Sequence, residues 1–408
     1  MTASSPHLRA HRWWLWAGAG FVAVYLLGFA WPGLFYYFDT DDVMNLRRAW
    51  PTPYWRLLVD CLPFAQSYRP LGLLAYRIIY DTAGFHPLAF HLVSFAFLLL
   101  NCYLLFRVAR ELTGSDITAL FAALLGVFHS RTDTLYTNIG NLYDILCGTL
   151  FLTSFLLAWR ESRFRSWRTG LLLLTYALAL DAKEMACTLP VLLMAADWIY
   201  GRRFRWNLLA VLAAETVLFI APKLGSSLND AYQPQYTWSR FRDTTEFYAG
   251  QLFYSLHPLP IVIFLALIIA MGIAAWWWDA NALKLSWIWI VVTPLPVAFI
   301  EHRGLNVWYI PLFGWALYGA ALLSRFARLR TAWAFAGVAA LLACAHALDR
   351  QYTFNADSGR SAQIKIFRDQ FLALCPHPAA NERVLFLDDP FPADEWTPSS
   401  FLQLYFRR

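Results

Sequence analysis

"WWLWAGAGFVAVYLLGFAWPGLFYYFDTDDVMNLRRAW", residues 13–50, holds in one stretch the two features that decide how this chain reads. Residues 13–35 are apolar over a length that can cross a bilayer, for which about 20 residues suffice. Directly behind them stand three carboxylates, Asp39, Asp41 and Asp42. A helical pattern follows, with Val43, Leu46 and Trp50 on one face and Pro51 to end it. Acids at the rim of a bilayer serve as a helix cap, a metal site or a catalytic base. Asp39 or Thr40 suits the cap, and Asp41 and Asp42 suit the positive end of the helix. An acid beside another acid at a low-dielectric boundary is also driven toward the pKa range of a general base. The stretch alone does not decide between these roles.

The rest of the 408-residue chain agrees with its first apolar run. Hydrophobic residues make up 59% and charged residues 15%, against about 45–50% and about 25% in soluble domains. The expected fold class is therefore an all-α polytopic membrane protein, and the net charge of +6 is an orientation signal rather than a nucleic-acid footprint. The first run lacks a small-residue cleavage site after a short apolar core, so it reads as a retained transmembrane helix. Apolar runs bounded by charge, Pro and Gly give eleven expected spans. They lie at roughly 13–34, 88–109, 116–129, 141–159, 168–181, 185–200, 206–224, 257–276, 285–300, 307–323 and 331–348. The runs 116–129, 168–181 and 185–200 are short for a full crossing, which protein tolerates where it lines a cavity.

Orientation follows from the basic loops. Arg9 and Arg12 precede the first run, and Arg107 and Arg110 close the second. Later clusters are Arg160, Arg163, Arg165 and Arg168, then Arg202, Arg203 and Arg205, then Arg325, Arg328 and Arg330. They alternate with loops that are not basic-dense, which puts the N-terminus in the cytoplasm. The odd number of spans then puts the tail, 349–408, on the other side. The same parity places loops 35–87, 129–141, 180–185, 225–256 and 301–309 outside. Compact Arg-rich loops without sorting signals favour a bacterial inner membrane. The first outer loop is expected to carry two interfacial helices, "DDVMNLRRAW" and "RPLGLLAYRIIY". In the tail, a helix is expected near 361–373 and a short strand at "RVLFLDD". Cys102, Cys147 and Cys344 read as apolar filler. Cys61 and Cys375 fall in outer loops and are placed to pair, and no Cys-x-x-Cys motif is present.

Ionisable residues gather in the outer turns. "LDAKEM" sets Asp181, Lys183 and Glu184 between two apolar runs, where charges are costly unless they pair or serve a polar cavity. Local pairing that ends two helices explains them as well as function does. "FHSRTDTLYTNIGNLYDIL" adds His129, Arg131 and Asp133, with Asp144 inside the start of a span, which favours a cavity-facing role. "EHRGLNVWY" brings Glu301, His302 and Arg303, and Arg69 stands before the Pro that starts a helix. Snorkelling to the interface accounts equally for Arg69, and His91 reads as a satisfied helix residue. A base together with several cations is what transfer from a phosphate leaving group requires.

The order of these motifs resembles the GT-C superfamily of membrane glycosyltransferases, which use polyprenyl-phosphate-linked sugars. The superfamily includes the protein O-mannosyltransferases and the related proteins that carry tetratricopeptide repeats. The pieces are "DTDDVMNL", "YRPLGLLAYRIIYDTAGFHPLAFHLVSF", "FHSRTDTLYTNIGNLYDIL", "DAKEMACTLP" and "PVAFIEHRGLNVWYIP". The resemblance implies a GT-C-like catalytic domain over 1–348, an active site on the outer face, and inversion at the anomeric carbon. It implies Asp41 as base, with Asp42 as partner or metal ligand, and Arg69, Lys183, Glu184 and Arg303 for phosphate neutralisation and site support. His129, Arg131, Asp144 and His302, gathered in the same outer turns, complete the expected substrate-binding residues. Ser130 follows His129 where the relatives tend to carry Pro. No cofactor is required by the motifs; a divalent cation is the one candidate, held by Asp41 and Asp42. The implied partners are a polyprenyl-phosphate sugar and an extracytoplasmic protein, glycan or lipid-linked glycan. The segment 349–408 is too short for several repeats of ~34 residues. Two rival functions use the same charges: a transporter or flippase of a lipid-linked sugar, and a non-catalytic subunit of a cell-envelope assembly docked by its tail.

Overall fold

The computed structural model describes residues 6–63, 69–126, 129–161, 166–224, 233–326, 331–353, 359–377, 383–386, 391 and 397–406. All regular structure among them is helical. Arg163, Arg165, Arg328 and Arg330, the start of the 225–256 loop and residues 387–389 lie outside the described residues.

The first apolar run forms α1 (Pro6–Ala30) and continues as a 3-10 turn, Trp31–Phe35. The loop behind it folds into α2 (Thr40–Ala49), α3 (Tyr54–Asp60) and α4 (Pro70–Ala83). Next come α5 (Pro87–Thr113), α6 (Asp116–Gly126), the single turn α7 (Thr134–Thr137), α8 (Leu142–Arg160), α9 (Trp167–Ala182) and α10 (Leu189–Ile199). Then follow α11 (Trp206–Leu224), α12 (Trp238–Leu252), α13 (Ile261–Trp277), α14 (Asn281–Val292), α15 (Tyr309–Phe326) and α16 (Thr331–Thr353). The tail supplies α17 (Arg360–Leu374) and α18 (Thr397–Phe406).

Each of the eleven apolar runs contains helix, though residues 257–260 precede α13 and residues 298–300 are a turn after the 3-10 piece Leu295–Val297. Among the described residues four stretches have the length and apolarity to cross a membrane: Trp16–Phe35, Pro87–Thr113, Ile139–Arg160 and Leu305–Arg325. Shorter apolar helices, among them Asp116–Gly126, Ile261–Trp277 and Trp333–Asp349, accompany them. These helices fit a multi-pass membrane protein. Helix α8 lies at the centre, packed by α5, α9 and α15. Phe151 and Phe155 on α8 enclose Trp289 of α14, and all three side chains are fully buried.

The helix ends explain the sharp turns. Pro87 opens α5, and Gly114 closes it with φ +67, a conformation that favours glycine. Pro70 opens α4, and Gly84 ends it at φ +72. Between the long helices the chain uses short 3-10 pieces, Ser130–Thr132, Ile139–Asn141 and Glu184–Thr188. Such tight turns hold side chains of distant segments at one end of the bundle.

Two expectations for the tail and loops are corrected. Residues 383–386 form no strand, since nothing beside them offers a ladder of backbone partners among the described residues. Cys61 and Cys375 are free thiols, as are the other four cysteines. The tail instead folds as two helices around Phe367, Phe371, Phe386 and Phe401. Helix α18 packs against α2, with Phe401 and Leu404 fully buried.

Candidate active site

The acid stretch resolves into three distinct jobs. Asp39 is the N-cap of α2: its Oδ1 accepts from the Thr40 amide at 2.7 Å. Asp42 closes the capping box, its Oδ2 accepting from the Asp39 amide at 2.8 Å. Its other oxygen accepts from the amide of Gly140, in the 3-10 turn before α8. Asp42 is fully buried, and burial pushes its carboxyl well above the usual range, against the pull of these two amides. Asp41, one residue earlier, is exposed. A helix turn separates neighbours by 100°, so the buried structural acid and the exposed acid occupy different faces of the same helix.

The turn at 138–141 holds the floor beneath Asp41. Asn138 Oδ1 accepts from the Gly140 amide at 2.7 Å, and its Nδ2 donates to Asp39 at 3.3 Å. A Cβ on Gly140 would come 2.7 Å from Asn138 Oδ1 and 3.6 Å from the Asp41 Cβ, so glycine lets the acid helix approach this closely. Asn306 donates to Asn141 at 2.6 Å, linking the same turn to the segment after Arg303.

Tyr143 joins the acids to the cations. Its hydroxyl donates to Asn45 Oδ1 on α2 at 3.1 Å, and the Arg69 guanidinium stands 5.5 Å from its ring centroid. The charges that bear most on this hydroxyl are Arg69, Arg48, Asp41 and Asp42. Gly72 permits the contact, because a Cβ there would overlap the Tyr143 ring. Arg69 also bridges to Glu184 Oε2 at 3.4 Å. Its φ of 51 puts a non-glycine residue in the left-handed region, which costs about 1–2 kcal/mol. Strain of this kind clusters at functional sites.

Lys183 lies one position before Glu184 and pairs with Asp144 in the first turn of α8. Both side chains are buried, 8% and 6% exposed, so each neutralises a charge that the apolar surroundings would otherwise reject. The Asp144 charge also acts on the hydroxyls of Tyr309 and Tyr248. Tyr248 accepts from the Arg303 amide at 3.1 Å. Asp41, Asp42, Arg69, Asp144, Lys183 and Glu184 thus gather around the start of α8, and Arg303 is connected to them through Tyr248.

The remaining sequence-expected residues have other neighbours. His129 stacks on Tyr254 at 4.3 Å, and its Nε2 contacts the Leu252 carbonyl at 2.9 Å. Loss of surrounding water lowers its imidazolium to about 4. Arg131 pairs with Asp349 of α16 at 3.2 Å and donates to the Ser255 carbonyl at 2.6 Å. His302 is exposed and stacks on Phe247 at 4.0 Å. Among the described residues no three His, Cys, Asp or Glu side chains form a metal-ligating group, and both oxygens of Asp42 already accept from backbone amides. Sequence reasoning missed Asn45, Arg48, Gly140, Tyr143 and Tyr248. Asn45 and Arg48 carried a signal: they follow Asp41 by four and seven residues, the spacing of one helix face.

The chain is similar over part of its length to proteins named protein O-mannosyl-transferases. It is 27% identical to TMTC4 of Mus musculus over 166 residues, 35% of this chain and 22% of that protein. Against TMTC4 of Homo sapiens the identity is 27% over 200 residues, 43% of this chain and 27% of the relative. Against Tmtc1 of Drosophila melanogaster it is 35% over 159 residues, 38% of this chain and 18% of the relative. The matches thus span only 18–27% of the length of these curated relatives. No protein-family model and no solved structure matches the chain. The similarity marks a distant relationship to glycosyltransferases.

Proposed function

We propose that this chain is a GT-C-type membrane glycosyltransferase, moving a hexosyl group, mannosyl by analogy with the relatives' names, from a polyprenyl phosphate to a protein hydroxyl. The observation that carries the reading is the division between the acids of α2. Asp42 is buried with both oxygens bound to amides, while Asp41 is exposed beside the Gly140 turn, and its charge and that of Arg69 both bear on Tyr143. A carboxylate fixed on a rigid helix, with its neighbour spent on holding that helix, suits a general base.

In the proposed reaction Asp41 takes the proton of the acceptor hydroxyl. The hydroxyl oxygen forms a bond to the anomeric carbon as the bond from that carbon to the phosphate oxygen breaks. The electron pair leaves with the phosphate, and attack from the opposite face inverts the centre. Arg69 and Arg303 offset the charge that develops on the leaving group. Lys183 and Asp144, being paired and buried, fix the turn that carries Glu184 and hence Arg69. The N-terminus is cytoplasmic in this reading, the site faces outward, and the membrane is a bacterial inner membrane.

The test is a turnover assay of the purified chain in lipid nanodiscs with a panel of polyprenyl-phosphate sugars and a protein acceptor. The expected result is release of polyprenyl phosphate together with an acceptor of increased mass. A protein that binds these donors without releasing the lipid phosphate would instead be a carrier, and the enzymatic reading would fall.

A further inference from the structure

Two cations of the site are already offset by carboxylates: Lys183 is paired with Asp144, and Arg69 bridges to Glu184. A phosphate dianion leaving this site gains most from a cation that has no such partner. Among the described residues Arg48 has no carboxylate within ion-pair distance, and it is exposed.

Its place on α2 is informative. Asp42, Leu46 and Ala49 turn one side of the helix inward, and Val43 is buried as well. Arg47 reaches the opposite flank, where it donates to Ser400 of α18 at 3.1 Å. The open face between these flanks carries Asp41, Asn45 and Arg48, spaced i, i+4 and i+7. Two turns of helix set the first and last of them about 10 Å apart. Asn45, midway, is bound by the Tyr143 hydroxyl, on whose ring Arg69 rests. The stripe therefore reads acid, amide, cation, with a second cation beside the amide.

We propose that Arg48 is a phosphate-contacting residue, so that the open face of α2 binds a polyprenyl phosphate with its charged group over Arg48 and Arg69 and its sugar over Asn45. A base at one end and a cation about two turns away match a displacement in which the proton leaves on one side of the anomeric carbon and the phosphate on the other. This deepens the transferase reading for the sugar; the phosphate contact itself can be measured without turnover. The competing account is that Arg48, like Arg47, only favours the negative end of α2.

The probes are farnesyl phosphate and farnesol, with binding measured on the full chain in nanodiscs. Loss of one charge-assisted contact weakens binding by about 10-fold or more. Arg48→Gln is expected to weaken farnesyl phosphate by that factor, to leave farnesol unchanged and to keep the melting temperature. Arg48→Lys is expected to recover part of the affinity, and Arg47→Gln to leave it unchanged. Equal farnesyl phosphate affinity in wild type and Arg48→Gln, or no phosphate preference in wild type, would overturn the proposal. Absent sugar transfer with intact phosphate discrimination would overturn the transferase reading and leave Arg48 as an anion-binding residue.

Discussion

Asp41 and Asp42 are neighbours in sequence with opposite environments, and the difference is set by contacts 98 residues away. Gly140 supplies the amide that Asp42 accepts, and nothing in the local pattern of 39–49 encodes that partner. The cap was legible, because an acid before an apolar helix pattern is a local signal. Which of the two remaining acids was structural was not. Replacing Asp42 by Ala removes half of the capping box and one of the two acceptors of the Gly140 amide, which keeps Asn138 Oδ1, for a loss of about 1–3 kcal/mol. Asp41→Ala removes neither bond. Thermal unfolding in detergent should therefore fall clearly for Asp42→Ala and little for Asp41→Ala. Equal losses would mean that the two acids share the structural work.

At the scale of elements, α2 is held from three directions: the turn at 138–141, α4 and the C-terminal helices. Tyr80 of α4 donates to the Leu404 carbonyl at 2.6 Å, and Ser361 donates to the Tyr37 carbonyl at 2.8 Å. Phe401 stacks edge-on against Phe85, which lies flat on Phe38 just before the acids. Helices α2 and α4 and the helix near 361–373 were readable from periodicity and Pro/Gly punctuation. The partnership of α18 with α2 was not, since it joins segments some 350 residues apart and leaves no local trace. Phe401→Ala opens a cavity in this packing, at a cost of about 3–5 kcal/mol. Amide hydrogen exchange in residues 40–49 should speed up in that variant while α8 stays protected. Unchanged exchange in α2 would show that the tail does not steady it.

Across the whole molecule, the composition and apolar runs were enough to establish a helical membrane protein. They did not establish how many helices cross. Short helices such as Asp116–Gly126 are buried by neighbours as well as by length, and hydropathy alone cannot separate a buried helix from a crossing one. The proposed orientation makes a direct forecast. Trp55 on α3 is 66% exposed and Phe204, in the Arg-rich turn after α10, is 40% exposed. Cysteines placed there one at a time, in a chain whose own cysteines are replaced, should react with an impermeant maleimide from opposite sides of the membrane. Trp55→Cys should label in intact cells and Phe204→Cys only after lysis. The reverse pattern would invert the topology and put the acids in the cytoplasm.

The central claim is that Asp41 is the base of a sugar transfer, and its most direct test is Asp41→Asn in the nanodisc turnover assay. Loss of a positioned general base costs about 10²–10⁴-fold in rate. The account predicts a fall of that size in lipid-phosphate release, with the melting temperature and farnesyl phosphate affinity unchanged. Turnover at the wild-type rate in Asp41→Asn would contradict it.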